Sequence, residues 1–148
     1  MRGNHVRAVS SAGLTVDAIR DAGVRDAPDI SALAARSPQS ATVPVWHCHD
    51  DDLPAPAAPV TPTIRDLPTG TATVTHHRID ESHSNSYAAW LRMGSPPQPS
   101  PAQYAELERA SELEELRPAR GVSIGADGLV TESFDVPRKS VSFVRAAW

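Results

Sequence analysis

Apolar and polar residues alternate over short stretches of this chain. Thr42–Cys48 places Val43 and Val45 two positions apart, and residues 71–79 form a second run of strand type. Alternation at every second position is typical of a strand with one buried face. Fourteen prolines and eight glycines divide the chain into short elements. The sequence therefore predicts an all-β fold, an antiparallel β-sandwich that forms one domain over residues 1–148.

One segment departs from this pattern and predicts a helix over about residues 100–116. Ser100 stands at the N-cap, Pro101 at the first helical position and Gln103 at the third. This is a capping box, in which the two side chains bond to each other's backbone N–H groups. Pro118 is expected to end the helix because proline cannot continue it.

Smaller features complete the expected architecture. A short helical turn is predicted near residues 87–93. Pro44 lies inside a predicted strand and suggests an edge or a bulge there, because it has no N–H to donate. Two glycines in residues 125–128 predict a hairpin that joins strands at 122–124 and 129–136.

Length and charge exclude several classes of protein. The chain has 148 residues, whereas a (β/α)8 barrel needs about 250. Its net charge of −4 disfavours nucleic-acid binding. No apolar run approaches the roughly 18 residues of a membrane span, and no secretory signal is recognisable, so a cytoplasmic location is expected. Cys48 is the single cysteine, so no internal disulfide is expected, and no cofactor is predicted.

Three segments carry a resemblance to a known family. They are Trp46–Leu53 (WHCHDDDL), Thr75–Leu116 and Val136–Val144 (VPRKSVSFV), and the second contains Arg78-Ile79-Asp80 and the elbow Met93-Gly94-Ser95-Pro96. The chain resembles the C-terminal β-domain of family-39 glycoside hydrolases, the β-xylosidase and α-L-iduronidase group.

The resemblance implies an accessory role. Family members hydrolyse glycosides on a (β/α)8 barrel, with retention, using two glutamates of which one follows an asparagine. No Asn-Glu step occurs in this chain, so no catalytic residue is predicted. Glu132 resembles a nucleophile only superficially, and alternation predicts that it points to solvent. The implied parent enzyme is β-xylosidase-like and acts on xylo-oligosaccharides.

The implied partner is the catalytic barrel, in cis or as a separate chain, with xylo-oligosaccharide as a candidate ligand. A strand from before the barrel can also join this sandwich in the family. A domain made without these partners is expected to self-associate through the exposed face. The residues that the resemblance places at an interdomain boundary or pocket edge are His49, Asp50, Asp51, Arg78, Asp80, Asn85 and Trp90.

Within that set, Arg78 is expected to bond to Asp50 or Asp51. An arginine fork matches the two oxygens of a carboxylate. Such a pair would tie the acidic loop, residues 50–52, to the strand that carries Asp80.

Two other functions compete with the accessory role. A small zinc protein would use His47 and His49, which share one strand face, with further ligands such as His83 or Asp80. The alternative for this segment is a polar loop whose carboxylates accept hydrogen bonds.

A free-standing carbohydrate-binding module would instead stack sugar rings on Trp46, Trp90 or Trp148. The alternative for these aromatics is packing in the core or at an interface.

Overall fold

The structure is a computed structural model and describes residues 3–148. It is mostly β-structure with three short helices. In chain order the elements are β1 (Asn4–Val6), α1 (Val16–Ala22), β2 (Asp29–Ala32), β3 (Ala34–Ser37), β4 (Ser40–Cys48), β5 (Ala58–Val60), β6 (Thr63–Ile64), β7 (Gly70–Ile79), α2 (Ser86–Arg92), α3 (Pro101–Ser111), β8 (Glu115–Ile124), β9 (Val130–Thr131), β10 (Phe134–Val136) and β11 (Ser140–Ala147).

One large antiparallel sheet forms the first layer. Its strands follow the order β1-β3-β4-β11-β7-β8, and β2 also pairs with β4. The central register places Ser142 between Val45 on β4 and Arg78 on β7. Successive side chains alternate between the two faces of a strand, so these three residues share a face. The predicted all-β antiparallel sandwich is confirmed.

The second layer consists of two short strand pairs, β5–β10 and β6–β9. They cover the inner face of the large sheet, where Val136 of β10 packs with Val43 and Val45. Val136 is completely buried and Val144 of β11 is 1% exposed. Full burial of a valine side chain contributes about 2 kcal/mol of transfer free energy, so these contacts hold the layers together.

Pro44 occupies a central strand, and the structure shows how β4 accommodates it. On one side, Pro44 lies opposite Phe143 of β11. On the other side it lies at the gap between β2 and β3, where its carbonyl accepts a hydrogen bond from Leu33 N at 3.1 Å. The predicted edge or bulge is therefore wrong, because β4 is a central strand and its register with β11 runs through Pro44 without a shift. The missing N–H of Pro44 falls instead at the gap between β2 and β3.

The capped helix begins as predicted and ends earlier. Both hydrogen bonds of the Ser100–Gln103 capping box are present. The helix stops at Ser111, and the predicted continuation to residue 116 is wrong because Glu115 already pairs with β7. Pro118 does not end the helix. It lies at a register irregularity of the edge strand β8, where its missing N–H removes no regular ladder bond.

The predicted hairpin around residues 125–128 is also wrong. The turn itself forms, with Gly128 N donating to Gly125 O at 3.0 Å and Gly128 at φ 64°. The chain then leaves the large sheet, and β9 and β10 pair with β6 and β5 instead of with β8. Across residues 3–148, no helix is long and apolar enough to cross a lipid bilayer.

Candidate interdomain surface

Most of the predicted boundary residues lie at one end of the large sheet. β4 and β7 both run antiparallel to β11, so they run parallel to each other and finish at the same end. The loop after β4, the turn after β7 and the residues before β11 therefore lie side by side. We call residues 49–53, 80–85 and 137–139 the polar end. The helices α2 and α3 follow the turn after β7, so they are inserted at this end as well.

The acidic loop is tied to the segment that follows α1. Asp50 Oδ2 accepts a hydrogen bond from Val24 N at 2.9 Å, and Asp50 N donates to Val24 O at 2.9 Å. Asp51 Oδ1 lies 2.6 Å from Arg25 Nη1. This ion pair is exposed on both sides, and such pairs contribute less than about 1 kcal/mol. The backbone bonds of Asp50 therefore position the loop more firmly than the ion pair does.

Substitution of Gly23 tests this anchor. Gly23 ends α1 at φ 72°, and a Cβ at this position would lie 2.5 Å from Asp50 Oδ2. Gly23→Ala is expected to lower the free energy of unfolding by about 2 kcal/mol, because it adds backbone strain and displaces the Asp50 carboxylate. Gly94→Ala is the matched control, since Gly94 has φ 84° and open space around its Cα. Equal losses in urea unfolding of the two variants would contradict the role of Asp50.

The remaining carboxylate of the loop, that of Asp52, pairs with a lysine just before β11. Lys139 Nζ lies 2.6 Å from Asp52 Oδ1, and this hydrogen bond lowers the pKa of Asp52. His49 is buried, and its Nδ1 accepts a hydrogen bond from Asp51 N at 3.1 Å. The loop is therefore ordered by contacts within the domain, and it presents Lys139 and the Asp52 carboxylate at the surface.

The two histidines do not form a metal site. His47 Nδ1 donates to Val136 O at 2.9 Å, in the interior of the sandwich. His49 uses its Nδ1 on the backbone of its own loop. Among residues 3–148, no group of three His, Cys, Asp or Glu side chains is arranged to hold a metal ion. The geometry thus supports the polar-loop alternative for this segment over the zinc alternative.

Arg78 is the predicted boundary residue whose contacts differ from expectation. Its Nε donates to Ser142 Oγ at 3.0 Å and its Nη2 donates to Asp135 O at 2.6 Å. The side chain is only 6% exposed, and burial lowers its pKa. The predicted pairing with Asp50 or Asp51 is wrong, because strand alternation directs Arg78 into the sandwich and not towards the acidic loop.

A double-mutant cycle distinguishes the two arrangements. Arg78→Ala is expected to lower the free energy of unfolding by about 2 kcal/mol, because Ser142 and the Asp135 carbonyl lose a charged donor. Combined with Asp50→Ala, its effect should be additive within about 0.5 kcal/mol. Arg145→Ala, on the exposed face of β11, should change urea unfolding little. A coupling free energy above about 1 kcal/mol between positions 78 and 50 would instead support the predicted pairing of Arg78 with the acidic loop.

The turn after β7 is organised by Asp80. Its Oδ1 accepts hydrogen bonds from Ser82 N at 2.7 Å and from His83 N and Nδ1, both at 2.8 Å. Burial raises the pKa of Asp80, but the bonds from His83 and Ser82 outweigh it, so the pKa is lowered overall. Asn85 donates to Asp80 O at 2.9 Å, and its Oδ1 accepts from Ala88 N at 2.9 Å. Asp80 and Asn85 thus direct the chain into α2.

The three tryptophans do not share a surface. Trp46 lies on β4, and its Nε1 donates to Oδ2 of Asp29 on β2 at 2.6 Å. Trp148 follows β11 at the opposite end of the sheet, where it packs against the core and lies 5.5 Å from the Arg36 guanidinium. Trp90 is on α2. A single sugar platform built from these three side chains is therefore not present.

Sequence reasoning missed the burial of Glu132. The residue is 3% exposed, and its carboxylate bonds to Arg117 Nη2 at 2.8 Å and to Arg120. The prediction that it points to solvent is wrong. Two arginines flanking Pro118 on an edge strand were the available sequence signal. Because both oxygens are occupied by guanidinium groups, this carboxylate is not placed to act as a nucleophile.

His76 is a second buried polar residue, and the default expectation from the sequence, a solvated side chain, is wrong for it. It is 1% exposed, and neither ring nitrogen has a partner among the described residues. Its ring lies 4.3 Å from that of Phe134. Burial, and then the charges of Arg78 and Arg117, lower the pKa of His76 to about 4. The imidazole is therefore neutral at pH 7.

These features define a β-sandwich domain with a pair of helices inserted at one end of its large sheet. The family model described as Glycosyl hydrolases family 39 matches residues 5–131. The chain belongs to glycosyl hydrolase family 39, which confirms the resemblance found in the sequence. A search of curated proteins found no match.

Solved structures of the same family share the fold. The GH39 enzyme from Xanthomonas axonopodis pv. citri is 19% identical with a TM-score of 0.67, over 84% of this chain and 28% of that one. A monomeric β-xylosidase from Caulobacter crescentus CB15 is 18% identical with a TM-score of 0.57, over 78% and 26%. The bacterial orthologue of human α-L-iduronidase is 24% identical with a TM-score of 0.57, over 80% and 22%. The chain thus spans about a quarter of the length of these proteins.

Proposed function

We propose that this chain is the C-terminal accessory β-domain of a β-xylosidase-like retaining glycoside hydrolase that acts on xylo-oligosaccharides. The observation that carries the proposal is the extent of the match. The family model covers most of this chain, while the chain covers 28% or less of each of the three solved enzymes described above. The remainder of such an enzyme provides ample length for a barrel of about 250 residues.

The polar end supports a contact role for this domain. A retaining pair needs two carboxyl groups about 5–5.5 Å apart with a sugar between them. Here Asp50, Asp51, Asp52 and Asp80 each accept a bond from a group of their own domain. Carboxylates held in this way are suited to fixing loops and to forming the polar rim of an interface. We therefore assign the barrel contact to this end.

The test begins with the DNA upstream of the Met1 codon. We expect a frame that encodes a (β/α)8 barrel with an Asn-Glu step. Co-expression of that barrel with this chain should yield a complex that hydrolyses a nitrophenyl β-xyloside, whereas this chain alone should not. Asp52→Ala and Lys139→Ala should weaken co-purification, and Arg145→Ala should not. An upstream region without a barrel, or hydrolysis by the chain alone, would overturn the proposal.

A separate prediction concerns an apolar groove away from the polar end, in the chain made alone. An open groove of about 840 Å3 lies along the segments 6–12 and 59–67, and much of its lining is apolar. The exposed apolar lining should cause self-association, measured by light scattering after size exclusion. Val9→Ser in the groove should reduce it, because Val9 is 76% exposed there. Val16→Ser is the control, since Val16 is 81% exposed outside the groove. A monodisperse monomer would contradict this prediction.

A further inference from the structure

The two helices at the polar end border a shallow, open cleft of about 430 Å3. α2 contributes Tyr87 and Trp90 to its lining, and α3 contributes Tyr104 and Leu107. Tyr87 is 64% exposed and Tyr104 is 59% exposed, whereas Trp90 is half-buried at the base. Three of the chain's seven aromatic Phe, Trp and Tyr side chains therefore line one surface cleft.

These aromatic side chains are not needed for the core. None of the residues of α3, all of which are described, is buried. Neither tyrosine belongs to the clusters that hold the two layers of the sandwich together. Aromatic rings that remain exposed in a concave surface keep their faces available for a ligand.

Contacts within the chain restrain one side of the cleft and the starts of both helices. Trp90 Nε1 donates to Pro96 O at 3.0 Å, which fixes the indole ring. The Tyr87 ring stacks beside it, with centroids 5.8 Å apart and planes 27° apart. The side chains of Asn85 and Ser100 cap the two helices. A ligand that binds here pays little to order the site.

The polar lining indicates the kind of ligand. Glu108 offers carboxylate acceptors, and the hydroxyls of Ser86 and the two tyrosines can donate as well as accept. Ser111 Oγ donates to Glu108 O at 2.6 Å and keeps its lone pairs for a ligand donor. A guanidinium or ammonium group has donors for Glu108 but no acceptor for the hydroxyl donors of the lining. Sugar hydroxyls donate and accept, and the C–H face of a pyranose ring stacks on aromatic faces.

We propose that the cleft between α2 and α3 binds a pyranose ring of a neutral oligosaccharide, with Tyr87, Trp90 and Tyr104 as the stacking surface and Glu108 as the hydroxyl acceptor. The site is separate from the sandwich core and from the acidic loop. It goes beyond the accessory role and does not depend on it, because every residue of the site belongs to this chain.

Isothermal titration of the full chain with xylotetraose, and separately with cellotetraose, tests the proposal. Tyr104→Ala and Glu108→Gln are each expected to weaken binding roughly tenfold or more, as truncation of an interface anchor does. Glu106→Gln on the same helix and Leu113→Ala, whose side chain is 51% exposed outside the cleft, are the controls and should bind unchanged. Circular dichroism confirms that each variant is folded.

Three outcomes would contradict the proposed sugar site. They are no heat of binding with either tetrasaccharide at millimolar concentration, binding that survives both Tyr104→Ala and Glu108→Gln, or binding of an arginine-containing peptide in place of the sugars. A variant that loses sugar binding should still co-purify with the barrel in a complex that hydrolyses the β-xyloside, and a failure of co-expression to give that complex would leave this titration unchanged. The two proposals can therefore fail separately.

Discussion

Glu132→Ala is expected to lower the free energy of unfolding by about 3 kcal/mol, because breaking a buried ion pair leaves charges without their partner. The carboxylate is 3% exposed, whereas the side chains of Arg117 and Arg120 are 41% and 49% exposed. Water can therefore reach both guanidinium groups after the substitution, which keeps the loss at the lower limit for a buried pair. The lost contacts also include the link between the edge strand β8 and the second layer.

Urea unfolding of Glu132→Ala and Glu132→Gln measures this loss. The glutamine variant keeps the shape and one acceptor oxygen, so we expect about half the loss. Glu115→Ala is the matched control, because Glu115 is an exposed carboxylate on β8 itself and should shift stability by less than about 0.5 kcal/mol. A loss for Glu132→Ala no larger than that of the control would show that the two arginines do not hold the layers together.

The sequence predicted those features that depend on neighbouring residues. Alternation of Val43 and Val45 located β4, and the Ser100–Gln103 pair located the start of α3. The first is a pattern that repeats every two residues, and the second is a pair of hydrogen bonds between residues three apart. Both can be recognised without knowing which distant segments the strand or helix contacts.

Features that depend on distant partners were predicted poorly. The end of α3 was misplaced because pairing with β7 outweighs the helical preference of residues 112–116. The strands after Gly128 were expected to fold back on β8, but β5 and β6, more than sixty residues earlier, take that place. Local pattern does not specify which strand will be the partner.

The same limit explains the errors at the candidate site. Alternation correctly separated the two faces of a strand at Arg78 but did not indicate which face is inward. Glu132 was assigned to solvent, but it bonds to two arginines of β8 in the interior. Arg78 was assigned to the acidic loop, but it bonds to Ser142 and to the Asp135 carbonyl. The boundary residues were named from the resemblance alone. That most of them lie at one end of the sheet follows from the strand order, which local pattern does not specify.

Acidification is expected to destabilise the protein through His76. The pKa of this residue is about 4 in the folded chain, against 6.5 for an ordinary histidine. Between these values the unfolded chain binds a proton that the folded chain does not, so stability falls as the pH drops from 6.5 to 4. The difference corresponds to a loss of up to about 3 kcal/mol. Below pH 4 this contribution no longer changes, and the lowered pKa values of Asp52 and Asp80 govern any further loss.

His76→Leu should remove most of this pH dependence. Leucine has a similar volume, packs against Phe134 and carries no ring nitrogen that needs a partner, so stability at pH 7 should be unchanged or slightly higher. At pH 5 the variant should exceed the original chain by about 2 kcal/mol. His5→Leu, at an exposed histidine of β1, is the control and should retain the loss. Urea unfolding at pH 7, 6, 5 and 4.5 measures the effect. A parallel decline in His76→Leu and the original chain would show that groups other than His76 cause the acid sensitivity.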